Sequence, residues 1–147
     1  ALSIYRKIIF DIEDCTKGLT DRDFEKSEVL RKIFEQKKLI MSNLSLAYTK
    51  KQIFKESIEL DLYILGIDRK FEKSYGRLIN AYCQLDQLDQ ANHYANTMKS
   101  IFGSSVIDKY AGIFENLETK NRKADENLRL ISKRSNLNSK KDSMLNN

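Results

Sequence analysis

Apolar residues recur at helical spacing along most of this chain, separated by short polar stretches. Ala1, Ile4, Tyr5, Ile8, Ile9 and Ile12 give Ala1–Cys15 the i, i+3, i+4, i+7 stripe of an amphipathic helix, which begins without a capping residue. Residues 16–26 mix Gly18 with short polar side chains and read as a loop. Ser27–Thr49 is predicted as a long helix, its stripe passing through Val29, Leu30, Ile33, Phe34, Lys37, Ile40, Met41, Leu44, Ala47 and Tyr48. Lys50–Ile53 then forms a turn. In Phe54–Ile67 the inward set is Ser57, Ile58, Leu62, Ile64 and Leu65, with Gly66 placed to end the helix at positive φ. Phe71–Leu85 and Leu88–Phe102 follow; Ala91, Tyr94, Ala95, Met98 and Ile101 share a face of the latter and Gly103 stops it. Residues 104–132 form a closing helix that thins to charge after Leu117, and 133–147 read as a disordered basic tail. The class is all-α, with five main helices.

Sliding the chain by 34 residues superposes Asn43 on Arg77, Leu44 on Leu78, Ala47 on Ala81, Tyr48 on Tyr82 and Ser57 on Ala91. That period is the one of the tetratricopeptide repeat, a helix–turn–helix whose small residues let two helices approach while an aromatic fills the space beside them. The pattern is similar to that repeat in these positions, though its Trp and Pro are absent. Residues 1–132 therefore read as a helical-hairpin solenoid: the second helix of a first repeat at 1–15, repeats at about 27–67 and 71–102, and a capping helix at 104–132.

Composition narrows the chemistry. The chain has 147 residues, 41% of them apolar, with five Gly and no Pro, which suits helices joined by short loops. Two cysteines, Cys15 and Cys83, and the single His93 form neither a disulfide framework nor a metal-binding pattern. Neither a metal nor another cofactor is expected. The net charge of +5 resides in residues 120–147; residues 1–119 carry eighteen charges of each sign. No aromatic nucleic-acid signature accompanies the basic tail, so specific nucleic-acid recognition is not expected. The longest uncharged run, Leu39–Thr49, has 11 residues, short of the roughly 20 that span a bilayer, so no membrane partner is expected either. No two carboxylates are placed for acid–base work, and the chain does not read as an enzyme.

The run Asn43-Leu44-Ser45-Leu46-Ala47-Tyr48, followed at thirty residues by Lys73-x-x-x-Arg77, resembles the C-terminal tetratricopeptide domain of co-chaperones of the FKBP-type immunophilin and aryl-hydrocarbon-receptor-interacting group. The resemblance covers about residues 1–102. It implies a cytoplasmic protein-interaction module whose Asn43, Lys73 and Arg77 belong to a carboxylate clamp. The clamp grips the acidic Glu-Glu-Val-Asp tail of a heat-shock chaperone, the ninety-kilodalton type favoured. It also implies an upstream peptidyl-prolyl isomerase-like domain and a first helix carrying the two remaining clamp positions, neither of which is in these 147 residues. Ser45 stands where the family has Ala, a change expected to be neutral.

Read from the residues alone, Lys73 and Arg77 at i, i+4 fit either a ligand-facing pair or a solvated helix face. A clamp requires both to be largely exposed without ligand. The alternative is a scaffold of the same fold whose groove takes another peptide or an import partner. Tyr48, Tyr82 and Cys83 read as packing residues and His93 as a surface one. The Ala1–Ile12 stripe, lacking a covering helix, is a candidate for self-association.

Overall fold

The computed structural model describes residues 2–20, 22–23 and 27–145. In chain order the helices are α1 (Leu2–Thr16), α2 (Glu28–Lys50), α3 (Phe54–Ile67), α4 (Glu72–Gln84), α5 (Leu88–Phe102), α6 (Ser105–Lys109) and α7 (Ala111–Leu145). No strand occurs among the described residues. Ser27 fixes the start of α2, its Oγ accepting the Leu30 N–H at 3.3 Å and satisfying one orphan donor of the first turn. Gly103, at φ 80°, ends α5 in a conformation cheap only for glycine. Gly66 plays no such part: it lies inside α3, which closes at Ile67 with Asp68 extended at φ −134° and its N–H bonded to the Ile64 carbonyl.

Successive helices pack as antiparallel pairs. Thr49 meets Ser57, Ser45 meets Asp61 and Lys38 meets Asp68, so α2 and α3 run in opposite senses. Tyr82 stacks on Tyr94 and Tyr75 meets Phe102 edge-on, giving α4 and α5 the same relation. Alternate helices run parallel. Lys38 lies over Phe71 and Ser42 bonds Arg77 between α2 and α4; Glu72 bonds Tyr110 and Asp86 bonds Lys120 between α4 and the α7 region.

The 34-residue period is visible in backbone geometry. The α2–α3 turn holds Gln52 at φ 60° and the α4–α5 turn holds Asp86 at φ 55°. In each the next N–H returns to a tyrosine carbonyl at 2.9 Å, Ile53 to Tyr48 and Gln87 to Tyr82. Beneath these turns Leu44, Ile64, Leu78, Ile79 and Met98 are fully buried, each worth roughly 1.5–3 kcal/mol of transfer free energy. Tyr48, Tyr82 and Cys83 are buried as packing residues, while His93 is exposed.

The C-terminal third differs from the expectation. The helix foreseen at 104–132 breaks at Tyr110 (φ −116°, ψ 32°), which separates α6 from α7. Gly76 explains where that ring goes, because a Cβ there would lie 2.8 Å from it: only glycine lets Tyr110 rest on α4. Nor is 133–145 a disordered tail. With no Gly or Pro to interrupt it, it continues α7 to Leu145; residues 146–147 of the foreseen tail lie outside the described residues.

At the other end, α1 packs on α2, with the Arg6 guanidinium over the Tyr48 ring and Glu13 paired with Lys37 at 3.2 Å. Of the foreseen stripe Ile4 and Ile8 are exposed while Tyr5, Ile9 and Ile12 are half-buried, so it is only partly open, and Phe10 outside it is exposed as well; Ala1 lies outside the described residues. So do residues 21 and 24–26 of the foreseen loop.

Candidate functional site

Because α2, α4 and α7 alternate with α3 and α5, their outer faces border one groove of about 520 Å³. Leu46 contributes from α2, Lys73, Gly76, Arg77 and Asn80 from α4, Tyr110 from the break between α6 and α7, and Ile113 from the first turn of α7. Lys73, Arg77 and Asn80 share one face of α4 at i, i+4 and i+7. The structure thus brings the two basic residues singled out from sequence to one surface. Asn43 is exposed on α2, one turn before Leu46, and is not among the residues that line the groove.

The two cations differ in state. Lys73 is exposed and forms no ion pair among the described residues. Arg77 is not the exposed residue a clamp calls for: its side chain is only 11% accessible and turns inward to Asp61, which is fully buried. Nη2 donates to Asp61 Oδ1 at 2.5 Å and to Ser42 Oγ at 3.0 Å, while Nε donates to Asp61 Oδ2 at 3.0 Å. Ser45 and Ser74 donate to the same carboxylate at 2.6 and 2.7 Å. A buried carboxylate is tolerable only with such a full complement of donors. Ser45 is therefore not a neutral stand-in for alanine; its hydroxyl belongs to the set that holds Asp61.

This leaves Lys73 as the uncompensated positive charge of the groove. Arg77 still lines the surface, with Nη1 free of any bond to the described residues. Opposite α4 stands Tyr110, whose Oη donates to Glu72 of α4 at 2.9 Å; Glu72 also pairs with Lys109 at 2.5 Å. The hydrogen bond from Lys109, with that from Tyr110, holds the Glu72 carboxyl below its usual range. Burial, reinforced by the bond to Glu72, pushes the Tyr110 phenol up to about 12, so it stays a neutral donor and its ring remains an apolar wall. Leu46 and Ile113 supply the rest of the apolar lining. The arrangement offers an ammonium, an amide and an apolar floor in an open surface.

Sequence reasoning missed Asn80, Tyr110 and, above all, Asp61. The signal for Asp61 was present: it falls at i+4 from Ser57 and i+3 from Ile58, on the buried stripe of α3, where a carboxylate needs a cationic partner. Among the described residues no group of three or more His, Cys, Asp or Glu side chains is placed to hold a metal ion. No helix of the described residues is long and apolar enough to cross a membrane. No family model matches the chain, and no curated protein or solved structure is significantly similar to it.

Proposed function

We propose that the chain is a protein-interaction module of the tetratricopeptide kind, which holds an extended peptide in the groove between α2, α4 and α7. The observation that carries this reading is the presence of Lys73, Arg77 and Asn80 on one wall of an open, partly apolar groove. Side-chain amides satisfy a peptide backbone, and an ammonium suits a carboxylate. The finer proposal is that the peptide is the acidic C-terminal tail of a cytosolic heat-shock chaperone and that the parent is an immunophilin-type co-chaperone. Lys73 is then the principal charged contact and Arg77 a secondary one through Nη1.

One observation favours the scaffold alternative, in which the groove takes a different peptide. Asp61 already answers the Arg77 charge, so the groove presents one net cation where a clamp on two carboxylates would use more.

Calorimetry with a peptide ending in Glu-Glu-Val-Asp separates the readings. A charge-assisted bond contributes about 1.5–3 kcal/mol, so Lys73→Ala should weaken binding roughly ten- to a hundredfold with helicity unchanged. Amidating the peptide's C-terminus should have a similar effect, and Asn43→Ala a smaller one. Equal affinity for the amidated peptide would leave the scaffold reading as the better account.

A further inference from the structure

The last part of α7 stands apart from the body. The cross-helix bonds of α7 end with Lys120 to Asp86 and Asn121 to Asn92, and from Asp125 onward every described residue is exposed. Residues 128–145 thus form a free helical arm about 27 Å long at 1.5 Å per residue.

Its surface is ordered. Leu130, Leu137 and Met144 recur every seven residues, which stacks them in a single row along the arm. They are 55%, 60% and 80% exposed, and Leu128 and Ile131, 62% and 60% exposed, add apolar surface beside the start of the row. Lys133 and Lys140 follow at i+3 and border the row on one side, joined by Arg129; Arg134 and Lys141 follow at i+4 and border it on the other. Residues 128–145 hold these five basic residues against one acidic residue, Asp142, whereas residues 1–119 are balanced.

We infer that this arm is a peripheral contact for an anionic lipid surface, lying in the plane of the headgroups with its narrow apolar row dipped toward the acyl chains. The geometry is that of snorkelling: the aliphatic stems of the flanking Lys and Arg widen the narrow row, and their heads reach lipid phosphates. A helix bound in a protein groove needs a broader apolar face at i, i+3, i+4 and i+7, but here the residues at i+3 and i+4 from Leu130 and from Leu137 are cations. Nucleic acid would leave the central apolar row unused, and residues 120–147 have no aromatic side chain to stack on bases. A second copy presents the same positive face and is repelled. Lying on a surface differs from crossing it, so the lack of a spanning helix is no obstacle.

Co-sedimentation of the full 147-residue chain with vesicles tests this. Vesicles containing phosphatidylserine should carry the protein down at low salt, with affinity falling as salt rises; phosphatidylcholine vesicles should not. Each basic residue near such a surface contributes about a fivefold factor, so Lys140→Gln with Lys141→Gln should weaken binding roughly 25-fold. Replacing Leu130, Leu137 and Met144 by Ser should also release the protein. These side chains touch solvent, so the body should keep its helicity by circular dichroism. Lys73→Ala, in the groove, should bind vesicles as the unaltered chain does. No sedimentation with the anionic vesicles, or equal sedimentation with the zwitterionic ones, would overturn the inference. So would vesicle binding that survives the Ser substitutions and is matched by binding to duplex RNA, which would mark a general polyanion contact.

Discussion

The two hairpins α2–α3 and α4–α5 repeat the same backbone turn 34 residues apart, yet their facing surfaces have opposite chemistry. Where the first hairpin sets Ser45, Ser57 and Asp61 against one another, the equivalent positions of the second are Ile79, Ala91 and Ala95, all of them buried. Side chains of modest size let both pairs of helices close. The polar version is admissible because it is complete: among the described residues no buried side-chain nitrogen or oxygen lacks a partner. Completeness comes from outside the hairpin, since Ser74 and Arg77 belong to α4. The apolar hairpin needs no such donors, so the first depends on the second for its charge balance and the reverse dependence is absent.

The sharpest way to break the comparison is to remove one half of the buried pair. Arg77→Ala leaves the Asp61 carboxylate buried without its cation, and Asp61→Ala leaves the guanidinium without its anion. Each should cost about 3–5 kcal/mol, to be read from urea unfolding. Converting the pair toward the chemistry of the second hairpin, with Asp61→Leu and Arg77→Met together, should recover most of that loss, because well-packed apolar residues often replace a buried ion pair without penalty. Single substitutions costing under about 1 kcal/mol would mean that water or the serines alone can hold Asp61.

The same pair marks where sequence reading stopped. The helices and the 34-residue period were legible because burial imposes spacing, as in Leu44 with Leu78 and Tyr48 with Tyr82. The convergence of Lys73 and Arg77 on one groove was legible from their i, i+4 separation. What was not legible was the state of Arg77. Its partner lies sixteen residues away on α3, and only the packed structure brings the two together. Likewise Tyr110 reaches α4 through a backbone break that no periodicity signals, and α7 continues because nothing interrupts it rather than because anything packs on it.

Alkali should separate the hairpins by a second route. Burial pushes the Tyr75 and Tyr82 phenols of α4 above their ordinary range, and Tyr110, against α4, reaches about 12. A group whose pKa is raised on folding contributes stability that is full below the unfolded value, near 10, and is lost as pH rises through the folded one. The melting temperature should therefore hold to about pH 10 and fall between 10 and 12, with tyrosinate absorbance rising alongside the loss of helicity. A melting temperature unchanged to pH 12 would show these phenols to be better solvated than their burial implies.

The smallest effect sharpens the comparison at the turns themselves. Gln52 and Asp86 both occupy the left-handed region, which costs a residue with a Cβ about 1–2 kcal/mol, against the roughly 0.5–1 kcal/mol of extra backbone entropy that glycine loses on folding. Gln52→Gly should therefore stabilise the chain by up to about 1 kcal/mol. Asp86→Gly should gain less for two reasons. Aspartate is among the residues that visit this conformation most readily, and its carboxylate pairs with Lys120 at 2.5 Å across to α7, an exposed contact worth about 0.2–1 kcal/mol. The two substitutions act on matching backbone geometry, so their difference in unfolding free energy reports the Lys120 tie and the side-chain preference alone. Equal gains at both turns would mean that the tie contributes nothing and that α7 is held to α4 by the packing of Tyr110 on Gly76.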